Sequence, residues 1–210
     1  MRLEDLFCNH VKPEGSLVLE ELLQEVTAAY KGHLKAESEK YRCDINALDS
    51  VYGGAEHFMH ITSNFYKYAV EGHLLTTGIA IQDDNWLDFG SFINQARWDD
   101  EFHGTNSLAL NLEKLFKMGA VRARLDIDTL GESAERALPT VLQDGACGYL
   151  TLFEVAVLAQ MTEKAVRNAT QPLVPDRLIT HKKGSSTVVA STEALRWLKK
   201  RRNFTPTVLA

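Results

Sequence analysis

Cysteine is scarce in this chain: Cys8, Cys43 and Cys147 are three residues, odd in number and widely spaced. That excludes a disulfide framework, and with no Cys-x-x-Cys pair it also removes the usual signature of a zinc knuckle or a redox motif. Reduced thiols in a cytoplasm are the expectation. Long hydrophobic runs are missing too, and no stretch approaches the roughly 18 to 20 apolar residues that span a bilayer. The opening MRLEDLFCNHVKPEG places acids in its first turns and lacks an apolar run, so it does not read as a signal peptide. Nowhere is there a phosphate-cradling glycine loop, a nucleophile elbow or a zinc-protease helix. An enzyme is therefore not expected, nor is a cofactor.

Positive charge is sparse over most of the chain and concentrated at one end. Of 23 Lys+Arg and 28 Asp+Glu among 210 residues, positions 150–210 hold 10 and 4, a balance of 10 − 4 = +6. Positions 1–149 hold the remaining 13 and 24, or 13 − 24 = −11. A local basic surplus attracts phosphates and releases their condensed counterions, whereas an acidic remainder limits indiscriminate adhesion to nucleic acid. The expected organisation is a helical domain over 1–145, of unassigned role, and a basic domain over 146–210.

In the first part apolar residues recur at helical spacing. Val18, Leu19, Leu22, Leu23, Val26, Tyr30 and Leu34 predict a helix over 16–39, with Ser16 at its start. Phe58, Ile61, Phe65, Tyr68 and Ala69 predict a second after Gly53-Gly54. Positions 72–85 fit a strand or a helical extension equally. Trp86–Trp98 reads as a helix with Trp86, Phe89, Ile93 and Trp98 inward, followed by a polar break through Asp99–Asn106. Thr105 or Ser107 could then cap a helix carrying Leu108, Leu112, Leu115 and Phe116 that closes at Met118-Gly119. A short helix over 132–138 stops at Pro139, and Asp144–Gly148 reads as a hinge.

The most informative stretch begins at Tyr149. Thr151 can cap a helix with Glu154 as its capping-box partner, and Leu152, Val155, Ala156, Leu158 and Ala159 supply the buried side. After a turn at Gln160–Thr162, Thr162 can cap a second helix. A pair joined this tightly crosses steeply and needs a small residue facing an apolar one, which Ala156 and Val166 provide. The second helix then presents Thr162, Glu163, Lys164, Arg167 and Asn168 outward, groups that bond phosphates and base edges. Pro172 and Pro175 end it. A β-prone arm over 177–181, a turn through Lys182, Lys183, Gly184, Ser185 and Ser186, and a second arm over 187–190 form a hairpin. Ser191 or Thr192 would cap a final helix in which Leu195, Trp197 and Leu198 turn inward, while Arg196, Lys199, Lys200, Arg201 and Arg202 face solvent or phosphate.

The runs YLTLFEVAVLAQMTEKAVRN and RLITHKKGSSTVVASTEALRWLKKRR resemble the winged helix-turn-helix DNA-binding domain of phage excisionases and MerR-like regulators. The resemblance covers roughly the last quarter of the chain. It implies a mainly α protein, with a helical N-terminal domain and a C-terminal winged helix-turn-helix that carries a small β-hairpin. It also implies that Thr162, Glu163, Lys164, Arg167 and Asn168 lie toward the major groove, with Lys182, Lys183, Ser185 and Ser186 at the wing; Arg201 and Arg202 add basic contacts. Gln160 departs from the family, which usually has glycine in that turn, and is accommodated if it avoids a positive φ. Ala169 and Thr170 replace a large closing residue, which suggests a short recognition helix.

The leading expectation is a sequence-specific, double-stranded-DNA-binding transcription regulator of bacterial or phage type, a homodimer with no membrane association. A small-molecule or protein effector acting on the N-terminal domain is a further expectation. The rival is an adaptor whose winged helix binds protein. A weaker alternative is a metal-dependent enzyme, because His57 and His60 follow Glu56 at a spacing that could share one helix face. Polar-face histidines explain that pair as well, and a charged loop explains Asp99–His103. Trp86, Trp98, Phe89, Phe92, Tyr66 and Tyr68 could line a ligand pocket, although aromatics at helical spacing are usually core.

Overall fold

The structure, a computed structural model, describes residues 11–74, 79–106, 109–143 and 145–209. It is mainly helical, with 62% of the chain in helix and two small sheets among the described residues. Cys8, Ser107, Leu108 and Asp144 lie outside these ranges.

Helix α1, Leu19–Tyr41, buries Leu22, Val26, Tyr30 and Leu34, as the periodicity requires, but its N-cap is Val18 and no side chain caps it. Val18 itself is exposed. Helix α2, Ile45–Tyr52, is not evident from hydrophobic spacing, since none of its residues is buried. It is started instead by Asp44, whose carboxylate accepts from the amides of Asn46 and Ala47, both at 3.0 Å. Helix α3, Glu56–Ala69, turns Ile61, Phe65, Tyr68 and Ala69 into the core. Strand β1, His73–Leu74, lies in the stretch that the sequence leaves open between strand and helix.

Two helices run further than local signals suggest. Helix α4, Ile79–His103, continues through the expected polar break. It does so because Asp99 is buried, its carboxylate accepting from His33 Nδ1 and Gln95 Nε2, both at 2.9 Å. Trp86, Phe89 and Ile93 point inward as expected, but Trp98 does not: at 56% exposure its ring lies 5.0 Å from that of Phe102, tilted by 37°, one turn along the outer face. Helix α5, Leu110–Leu130, passes straight through Met118-Gly119 and ends at Gly131, whose φ is 59°. Ala109, rather than Thr105, is the N-cap, and the alternative Ser107 lies outside the described residues. Gly119 is needed inside the helix, where a Cβ would come within 3.2 Å of the Trp86 ring.

Helix α5 is the spine of the molecule. From Leu112 to Ile127 every residue is buried, charged ones included. Lys114 Nζ donates to the carbonyls of Glu14 and Gly15 at 2.7 and 2.6 Å. Arg122 donates to Ala69 O, Thr205 O and Thr207 Oγ1. Buried charges without such partners would cost several kcal/mol, roughly, each. Around α5 sit α1, α3 and α4 and the short helices α6, Glu132–Glu135, and α7, Thr140–Gln143.

The C-terminal unit has two short helices, a hairpin and a last helix in sequence, with an additional strand in front that the sequence reading does not include. Strand β2, Tyr149–Thr151, leads into α8, Leu152–Ala159, and α9, Glu163–Asn168. Strands β3, His181–Lys183, and β4, Ser186–Ala190, form an antiparallel hairpin, and α10, Ser191–Leu198, follows at once. The sheet order is β2-β4-β3, with Leu150 opposite Val189 and Lys182 opposite Thr187. A last strand, β5, Val208–Leu209, pairs in parallel with β1 and so ties the chain's end back to the helical body. One hydrophobic cluster runs through both parts, from Leu17 to Phe204.

Candidate nucleic-acid interface

The geometry of the interface begins at the start of α8. Thr151 Oγ1 accepts from the Glu154 amide, and Glu154 Oε2 accepts from the Thr151 amide at 2.7 Å, a complete capping box. The other oxygen of Glu154 pairs with Arg124 of α5 at 2.6 Å, both side chains being 3% exposed. Helix α8 is thereby fixed to the spine as well as capped. Ala156 and Val166 are fully buried at the crossing of α8 and α9. Thr162 caps α9 by accepting from the Ala165 amide at 3.1 Å.

The turn between the helices does what the sequence argues against. Gln160 takes the left-handed conformation, φ 53° and ψ 41°, the positive φ that the sequence expectation needed it to avoid. Its side chain offsets part of that strain by donating to Asn203 O at 3.0 Å. Helix α9 is only six residues long and is capped at its end by Ala169.

Exposed groups on α9 divide into two kinds. Lys164 and Asn168 are exposed and have no side-chain partner among the described residues. Arg167 is exposed too, but its guanidinium is held by Glu163 at 2.6 Å, one turn back. On the hairpin, Lys182 and Lys183 belong to β3 rather than to the turn, which is made by Gly184, at φ 62°, and Ser185. Glycine's tolerance of that φ shortens the turn and draws both lysines into the ladder. Lys182 Nζ donates to Thr187 Oγ1 at 3.0 Å, and Lys183 Nζ lies 5.0 Å above the Tyr149 ring. Ser185 and Ser186 are exposed.

Helix α10 departs further from expectation. Its N-cap is Ala190, and no side chain caps it. Ser191 lies in the first turn, buried, with its hydroxyl donated to Asp128 of α5. Trp197 and Leu198 are buried, while Leu195 is half-buried. The helix ends at Leu198, so Lys199–Arg202 follow it rather than extend it. Three of the expected solvent-facing cations instead converge on Asp176, in the loop between α9 and β3. Arg196 and Lys200 reach its carboxylate at 2.8 and 3.0 Å, and Arg201 pairs with it while stacking 4.1 Å from the Trp197 ring. Hydrogen bonds from Arg196 and then Lys200 hold the Asp176 carboxyl below its ordinary range. Arg202 is exposed and unpaired among the described residues. The sequence reading assigns no role to Asp176, Tyr149 or the exposed Arg177. The signal for Asp176 was present, since it is the only acid between Glu163 and Glu193.

The weaker metal alternative finds no constellation among the described residues. His57 Nε2 lies 3.4 Å from Asp88 Oδ2, His60 pairs with Asn64, and no group of three or more His, Cys, Asp or Glu that could hold a metal occurs among the described residues. Of the aromatics, Trp86, Phe89 and Tyr68 are core, and Phe92 borders a cleft between α1, α3 and α4. No helix of the described residues is long and apolar enough to cross a membrane. No family model matches this chain, and comparison with curated proteins and with solved structures returned no match.

Proposed function

We propose that this chain is a sequence-specific double-stranded-DNA-binding protein, a transcription regulator of bacterial or phage type, working in the cytoplasm as a homodimer. Residues 146–210 act as a winged helix-turn-helix: α9 enters the major groove, and the β3–β4 hairpin lies along the backbone. The N-terminal helices pair two copies or receive an effector. The observation that carries this reading is the α8–α9 pair followed directly by a hairpin bearing Lys182 and Lys183, within the one segment that has a surplus of positive charge. Lys164, Arg177, Lys182, Lys183, Lys199 and Arg202 have no acidic partner among the described residues, which leaves them available to phosphates.

The test is a salt titration of the full chain on a random-sequence duplex. Neutralising roughly four to six phosphates gives a log–log slope of about −4 to −5 between about 50 and 200 mM salt. Replacing Lys182 and Lys183 together by alanine should shallow that slope by about 2, at every sequence alike. Arg167→Ala should instead change the preference between sequences. A full chain that ignores duplex at the low end of this salt range, or a slope unmoved by the double substitution, overturns the reading. The adaptor alternative is favoured by Leu173, 96% exposed between Pro172 and Pro175, and would be recognised by protein binding that survives high salt.

A further inference from the structure

In the helical body, α1, α3 and α4 and the end of α2 enclose a cleft of about 520 Å³. That size lies within the roughly 300–1,000 Å³ of small-molecule sites. Its walls are aromatic. Phe58 and Phe92 stack on each other with centroids 4.2 Å apart, and Tyr52 stacks on His33 at 5.8 Å. Tyr30 contributes a ring face and not a hydroxyl, because its oxygen donates to Asp49 and accepts from the Gly54 amide.

Besides the tyrosines, the polar side chains of the cleft are those of Asp88, His33, His57, Ser91 and Gln95. Asp99 is spent on His33 and Gln95 just behind the wall. Asp88 is half-committed: Oδ2 meets His57 Nε2 at 3.4 Å, while Oδ1 has no partner among the described residues and the side chain is 54% exposed at the rim. No lysine or arginine lines the cleft among the described residues. An anion would therefore meet the Asp88 carboxylate and no lysine or arginine. A cation would meet aromatic faces, which attract positive charge through their quadrupoles, and a carboxylate at the mouth. The excess of acids over positions 1–149 steers the same way.

We infer that this cleft binds an organic cation carrying a flat aromatic ring, the ring against Phe58, Phe92 and Tyr52 and the positive charge toward Asp88. The test needs no DNA and so stands apart from the proposed function. Calorimetric titrations of the full chain compare N-methylquinolinium with its neutral shape analogue methylnaphthalene and with the anion naphthoate. N-methylquinolinium should bind saturably and about tenfold tighter than either. Asp88→Asn and Tyr52→Ala, both at well-exposed positions, should each weaken it by about fivefold, with near-ultraviolet circular dichroism unchanged. Naphthoate or methylnaphthalene binding as tightly overturns the assignment. So does the absence of saturable N-methylquinolinium binding below about 1 mM, or an affinity that both substitutions leave unmoved.

Discussion

Glu154→Gln is the substitution that most directly probes how the C-terminal unit is held on the body. Both carboxylate oxygens are committed, one to Arg124 at 2.6 Å and one to the Thr151 amide at 2.7 Å, at 3% exposure. Glutamine keeps the shape and can still accept one of these bonds, so steric loss is small. What it removes is the Glu154 charge, so the buried Arg124 guanidinium meets a neutral amide where it met a carboxylate. Breaking a buried ion pair from one side costs about 3–5 kcal/mol, and weakening an N-cap adds about 1. Because one acceptor survives, about 3 is the expected loss, a large share of a total stability of about 5–15 kcal/mol. Equilibrium urea unfolding should show it as a lower midpoint at unchanged slope. Replacing both partners, Arg124→Met with Glu154→Leu, should recover most of the loss, since neither charge then remains to be desolvated. A single-variant loss under about 1 kcal/mol, or additive losses in the double variant, would refute the claim that this pair clamps α8 to α5.

Gly72→Ala should destabilise by about 1–3 kcal/mol, because φ is +78° and the new Cβ would sit 2.7 Å from the Pro206 carbonyl oxygen; thermal unfolding and proteolysis of the C-terminal tail read it out, and an unchanged melting temperature would count against the tail's docking. The pH dependence should carry the mark of Asp126, whose carboxyl burial pushes up to about 6. The folded state then holds a proton that the unfolded chain has released between about pH 4 and pH 6, so this group's contribution falls as pH rises through that window. By pH 6 the penalty reaches about 3 kcal/mol. Asp126→Asn should flatten that limb of the urea-midpoint profile, and an identical profile would refute the assignment. Asp176 and Glu193, held below the ordinary carboxylate range by Arg196, act oppositely: their stabilisation is lost only as pH falls below about 4.

What could be read from the sequence was what short-range chemistry decides. The Thr151–Glu154 capping box, the Thr162 cap, the small-to-apolar contact of Ala156 and Val166, and the hairpin around Gly184 are each settled within a few residues. The continuation of α4 through Asp99 and of α5 through Gly119 is settled by distant groups, His33 in one case and Trp86 in the other. A polar run and a Met-Gly pair therefore look like ends when they are interior positions with unusual neighbours. Helix α2 escaped notice because it has no buried face to leave a periodic trace. Gln160 shows the converse error, in which a side chain tolerates a glycine-like conformation because Asn203 is within reach.

The charge imbalance gains a finer meaning once the pairs are known. The segment 150–210 has four acids, and each is used internally: Glu154 by Arg124, Glu163 by Arg167, and Asp176 and Glu193 by the cations around α10. Four of its ten cations, Arg167, Arg196, Lys200 and Arg201, are bound up in those pairs, leaving 10 − 4 = 6. The surplus of six is thus not spread over the unit but sits on Lys164, Arg177, Lys182, Lys183, Lys199 and Arg202. Under the proposed function, substituting any of these should change affinity for duplex through the salt term, whereas substituting Asp176 should act indirectly. Asp176→Asn would release Lys200 and Arg201 from their anchor and raise non-specific affinity, making the salt slope steeper by about 1–2. A slope that stays the same in that variant would mean that the Asp176 cluster faces away from the bound duplex.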